Sequence, residues 1–182
     1  MKRLLLAGLL ACGLALPAHA EINLLAGPDL VKAVTSNDMK LARQQLMRGE
    51  NPNVVDLGGR TPLIHAIISG YQEMAQLLLD NGARADRADR EGNPPLYWAA
   101  DGGDLDMVNV LLTKGAKADQ ENKQGVTPLM VAARSGRADV VERLLKAGAK
   151  PERTDFTGRD ALSWAQESRN GRVATLLRQV KR

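Results

Sequence analysis

The sequence predicts an all-α solenoid of about five stacked helix–turn–helix units, following an N-terminal signal peptide. Three observations predict it. Leu63, Leu96, Leu129 and Leu162 recur every 33 residues, and so do Ala66, Ala99, Ala132 and Ala165. Two glycine sets keep the same 33-residue interval: Gly59, Gly92, Gly125, Gly158 and Gly49, Gly82, Gly115, Gly148. Between the glycines, apolar residues follow helical spacing. One step back from Leu63 and Ala66 stand Leu30 and Ala33, which adds a first, incomplete unit.

The first twenty residues differ from the rest. Lys2 and Arg3 are followed by an uncharged Leu/Ala/Gly run, Leu4 to Leu16, and then by Pro17-Ala18-His19-Ala20. A positive start, an apolar middle and small residues at the end form the three-part plan of a secretory signal, with cleavage expected between Ala20 and Glu21. The 13-residue apolar run falls short of the roughly 20 residues that cross a bilayer. Leu9-Leu10-Ala11-Cys12 resembles a lipidation signal, but the apolar run continues past Cys12, so lipid anchoring there fits less well. Cleavage removes the only cysteine and therefore any thiol chemistry. The formal charge of +4 falls as well, since loss of Lys2 and Arg3 leaves 23 basic against 21 acidic residues. Export and that near balance argue against a nucleic-acid partner.

Residues 21–182 form the repeat domain. The first unit, about 23–55, is an irregular cap with Asn37 at a place where later units have glycine. The second, 56–88, contains Asp56-x-x-Gly59-x-Thr61-Pro62-Leu63-x-x-Ala66. In the third, 89–121, Asp89-Arg90-Glu91-Gly92 is a polar turn. Pro94-Pro95 opens a helix, where a missing N–H costs nothing. Leu96, Ala99 and Ala100 make its narrow apolar face, and Gly102-Gly103 ends it. Asp104 caps a second helix, whose stripe is Leu105, Val108, Leu111 and Leu112. Gly115 stops that helix, and Ala116-Lys117-Ala118-Asp119 is read as an extended lead into the next turn. The fourth unit, 122–154, repeats the pattern as Asn122-x-x-Gly125-x-Thr127-Pro128-Leu129-x-x-Ala132. The fifth, 155–182, has Asp160-Ala161 in place of Thr-Pro and Arg169 in place of a glycine, and reads as a second cap with a polar outer face. No unit can bury its leucines alone, so neighbours must stack. Leu111, Leu112, Leu144 and Leu145 are all expected in that shared core.

The Gly-x-Thr-Pro-Leu-x-x-Ala motif and its 33-residue period resemble the ankyrin repeat over essentially all of 24–182. The resemblance implies a curved stack of helix pairs with turns projecting to one side. The family's usual histidine after Thr-Pro-Leu is absent, its places being taken by Ile64, Tyr97, Met130 and Ser163. His65 is one position later, so the histidine bonds that brace the family's turns are expected to be missing.

Nothing at a suggestive spacing marks an enzyme, and none is expected. No phosphate-cradling glycine motif occurs. His65 is the one histidine after Ala20, so no His/Cys metal cluster is expected, and no cofactor. Asp101, Asp104 and Asp106 form an acidic knot whose spacing does not fit a calcium loop. All three are read as lying near a helix N-terminus, where carboxylates are favoured.

The expected function is docking of another protein by a periplasmic monomer. The resemblance implies that partners sit on the turn tips and first helices. Carried over by position, the candidates are Arg60, Arg90, Glu91, Asn93, Tyr97, Trp98, Lys123, Gln124, Phe156 and Arg159. This edge is more basic than acidic, so the expected partner has an acidic surface; the same charges also fit plain solvation. Trp98 and Trp164, two repeats apart, fit either an interface anchor or packing between repeats, and packing weighs more for Trp164 near the cap. Small exported bacterial proteins of this family suggest two narrower roles: immunity against a periplasm-acting toxin, or an accessory role in catalase-based peroxide resistance.

Overall fold

The computed structural model describes residues 29–180. The signal peptide, its cleavage site and Cys12 lie outside these residues. Ten α-helices stand among the described residues: α1 (Asp29–Thr35), α2 (Met39–Met47), α3 (Pro62–Ile68), α4 (Gln72–Asp80), α5 (Pro95–Gly102), α6 (Leu105–Thr113), α7 (Pro128–Arg134), α8 (Ala138–Lys146), α9 (Ala161–Glu167) and α10 (Gly171–Val180). They form five pairs.

The starts of the helices follow from local chemistry. Thr61 Oγ1 accepts the Ile64 N–H (3.2 Å) and Thr127 Oγ1 that of Met130 (3.4 Å). Asp160, which replaces threonine in the last unit, accepts the Ser163 N–H at 2.8 Å, so the cap survives the substitution. Proline follows both threonines, its φ already set for a helix. Asp38 and Asp104 cap the second helices of their units, each accepting an N–H at 2.9 Å.

The odd-numbered helices pack on one another in sequence, α1 on α3, α3 on α5, α5 on α7 and α7 on α9. Ala33, Ala66, Ala99, Ala132 and Ala165 are buried along that row. With only a methyl at each place, adjacent helices approach closely. The even-numbered helices carry bulkier side chains and splay apart into an outer row, meeting one another less closely than the odd-numbered helices do. Leu30, Leu63, Leu96, Leu129, Leu78, Leu111, Leu144 and Leu177 are fully buried between the rows. They belong to one continuous apolar core running through all five pairs.

Three expectations need correction. Leu112 and Leu145 are only half-buried, because they face the splayed outer row; Met107 and Val140 fill the inner positions instead. Leu162 is also half-buried, unlike Leu63, Leu96 and Leu129 at the same place in the earlier units. Asp101 sits in the last turn of α5, not near a helix start; it accepts from Ser135 Oγ (2.6 Å) and pairs with Arg134 (3.2 Å). Residues 116–119 do not stay extended either, and turn back through a Gln120 N–H to Lys117 C=O bond of 3.2 Å.

Candidate docking face

Each unit opens on a tip turn whose first residue organises it. Asp89 Oδ1 accepts the N–H groups of Glu91 (3.0 Å) and Asn93 (2.9 Å). Asp155 does the same with Thr157 (2.9 Å) and Arg159 (3.0 Å), and Asn122 with Gln124 (2.9 Å) and Val126 (3.0 Å). Asp56 accepts the Arg60 N–H at 2.9 Å. Successive tips are then tied together. Arg90 donates its N–H to Gly58 C=O (3.3 Å), Lys123 to Glu91 (3.0 Å) and Phe156 to Gln124 (3.0 Å). That approach needs glycine. A Cβ on Gly59 would lie 2.8 Å from the Arg90 nitrogen, and one on Gly92 2.9 Å from that of Lys123.

The second oxygen of each tip carboxylate meets a ring N–H nine residues on. His65 Nε2 lies 2.8 Å from Asp56 Oδ2, Trp98 Nε1 donates to Asp89 Oδ2 at 3.2 Å, and Trp164 Nε1 to Asp155 Oδ2 at 2.9 Å. In the fourth unit that place is Val131, which has no donor, and the tip residue is Asn122 rather than aspartate. Its amide donates to Asn93 Oδ1 at 2.8 Å, in a buried setting. A carboxylate there would face the Asn93 oxygen with nothing to neutralise it. His65 therefore braces its own turn by a route different from the family histidine, so the second unit is not left without a histidine brace.

These contacts set the electrostatics. Burial pushes the Asp155 carboxyl up, but the Thr157 hydroxyl, the Arg159 N–H and the Trp164 indole hold it well below the usual carboxylate range. Burial likewise opposes ionisation of Asp56, and the Arg60 N–H and His65 ring together outweigh it, so its pKa is lowered. The Tyr97 hydroxyl is pushed up, chiefly by burial.

Guanidinium groups stack on the two indoles. Arg60 lies 5.2 Å from the Trp98 ring centre; Arg134 and Arg159 lie 5.2 Å and 4.8 Å from that of Trp164. Tyr97 meets Trp98 edge-on at 5.4 Å. Arg60, Arg90, Glu91, Asn93 and Trp98 line one groove of about 300 Å³, together with Asp56, Gly58 and Asp89. The structure thus brings five of the sequence-predicted residues together. Asn93 is among them but is buried, its side chain given to Asp89 and Asn122 rather than to solvent. Lys123 and Gln124 are exposed on the next tip. Phe156 is 73 % exposed and lies over Gly125, where a Cβ would meet its ring at 2.7 Å. Arg159 is tied to Asp155 (3.0 Å) and Glu167 (3.1 Å). Trp164 is buried and packs; Trp98 is half-buried, its ring edge reaching the groove. Sequence reasoning missed the acid–ring pairs, although the nine-residue spacing of Asp56–His65, Asp89–Trp98 and Asp155–Trp164 is visible in the chain.

A larger groove, about 480 Å³, runs on the opposite side between α2, α4 and α6. It is the gap left by the splayed outer row, and Arg43, Glu73, Asp80 and Asp106 line it with Met39, Leu77 and Val110. Among the described residues, no group of three or more His, Cys, Asp or Glu side chains could hold a metal ion. None of the described helices is long and apolar enough to cross a membrane.

A family model for ankyrin repeats, three copies long, matches residues 30–122 and again 100–181. No match is found among curated proteins.

Proposed function

The chain belongs to the ankyrin-repeat family, and from that premise we propose that it is an exported, non-catalytic docking module. A partner protein with an acidic surface binds its tip-and-first-helix face. One observation supports this above the others: Arg60, Arg90 and Trp98 converge on a single groove, while neither Arg60, Arg90 nor Lys123 has a carboxylate partner among the described residues. Unpaired cations on a braced edge favour a partner that supplies the missing carboxylates, and they steer its approach. The larger outer groove is a weaker candidate for an acidic partner, because its lining sets three carboxylates, Glu73, Asp80 and Asp106, against one base, Arg43. The acid–ring pairs of the tips are spent on holding turns, which supports a binding role over a catalytic one. The leader-like residues 1–20 support export to the periplasm.

The test is affinity capture from envelope extract with the C-terminally tagged full chain. The comparison is with an Arg60→Ala/Arg90→Ala/Lys123→Ala variant and an outer-groove Arg43→Ala/Glu73→Ala variant. The proposal expects a captured protein that is lost with the first variant and at high salt, and retained with the second. Capture indifferent to the tip variant and to salt would contradict it.

A further inference from the structure

We infer that the Arg60–Trp98 groove is a receptor for a single carboxylate side chain of the partner, an aspartate or glutamate seated between the second and third tips. The inference rests on the docking proposal and narrows it to one contact.

The repeat itself supplies the comparison. Arg60 and Arg159 hold the same place in their units, three 33-residue intervals apart. Both guanidinium groups stack on an indole. Arg159 is completed by Glu167 at 3.1 Å. The position equivalent to Glu167 in the unit of Arg60 is Ile68, which is 45 % exposed and offers no charge. Arg60 leans instead over Trp98 of the following unit, where the matching position is Asp101. That carboxylate is already held by Arg134 (3.2 Å) and by Ser135 Oγ (2.6 Å). Arg134, the third stacked guanidinium, is thereby completed too. Of the three, Arg60 is the one left without a carboxylate among the described residues.

The acids that line its groove do not fill the gap. Asp89 accepts from Glu91, Asn93 and Trp98. Asp56 accepts from Arg60's own N–H and from His65. Glu91 lines the groove without an ion pair to Arg60 or Arg90, so it repels an incoming carboxylate rather than replacing it. The Trp98 indole packs against the guanidinium at 5.2 Å, and Arg60 lines the groove with N–H donors that no carboxylate takes up; a planar carboxylate can meet such a fork with two parallel bonds.

The experiment titrates the full chain with N-acetylglutamate amide while the indole N–H signals are followed by NMR. N-acetylglutamine amide is the uncharged control. Trp98 is expected to shift in a saturable way with the acid, and not with the amide. Trp164, whose arginines are already paired, is expected to stay still. Arg60→Gln should abolish the Trp98 shift, and Glu91→Gln should let it saturate at lower probe concentration. An unresponsive Trp98, equal responses to the two probes, equal movement of both indoles, or a response that survives Arg60→Gln would overturn the inference. None of these outcomes touches the capture experiment. A tip variant that still abolishes capture would leave the docking proposal standing without this contact.

Discussion

Nine residues separate each tip acid from the ring that donates to it, and that pairing governs what substitutions the tips accept. Trp164 is buried and Trp98 is half-buried, so removing the indole N–H is more costly at the former. Trp164→Phe is expected to destabilise by about 1–3 kcal/mol, and Trp98→Phe by less, in chemical denaturation. Asn122→Asp puts a carboxylate opposite the Asn93 oxygen with no donor at Val131, and a loss of about 1–3 kcal/mol is expected there also. The same chemistry sets an acid limit. The folded-state pKa of Asp155 lies below its unfolded value, so its contribution is fully present above the ordinary carboxylate range. As pH falls, the unfolded chain takes up the proton first, and the contribution disappears on the way down to the folded pKa. Stability measured from neutral pH to pH 3 should therefore fall, and Asp155→Asn should make that fall shallower. An unchanged slope would show that Asp155 is not the group responsible. At this scale the chain was only partly legible. The polar tip residues could be placed by period alone, but Asn93 could not be seen to turn inward. Its partner, Asn122, comes from the next unit and meets it only when tips stack.

Helix pairs were the most legible element, because proline, threonine and glycine mark their ends and alanine marks the close-packed row. The direction of the second-helix stripe was less so. Helical spacing treats Leu111 and Leu112 alike, whereas the splay of the outer row buries the first and half-exposes the second. Leu111→Ala and Leu144→Ala are expected to cost about 2–5 kcal/mol, and Leu112→Ala and Leu145→Ala clearly less, by the shift in denaturation midpoint. Equal losses within each pair would contradict the packing described. The helix-to-helix turns make a second point. Asn37 and Arg169 adopt positive φ, 54° and 58°, at the two ends of the stack, where inner units have Gly70, Gly103 and Gly136. Asparagine tolerates this conformation, but arginine is strained in it. Arg169→Gly should stabilise the last pair by about 0.5–1 kcal/mol; a lower melting temperature would refute that.

At the scale of the whole molecule, the 33-residue period made the stack legible, since no single unit can hide its leucines. The site was legible as a list of tip residues and not as a place. Stacking is what sets Arg60 of one unit over Trp98 of the next, and period alone does not say toward which neighbour a side chain leans. The docking face is stiff only if the core beneath it is one body. The most direct measurement is guanidinium unfolding of the full chain followed both by far-UV circular dichroism and by tryptophan fluorescence, repeated with Leu111→Ala at the centre of the stack. The account predicts coincident transitions, displaced together by the substitution. Separate midpoints for the two signals, or a substitution that moves one and leaves the other, would contradict it.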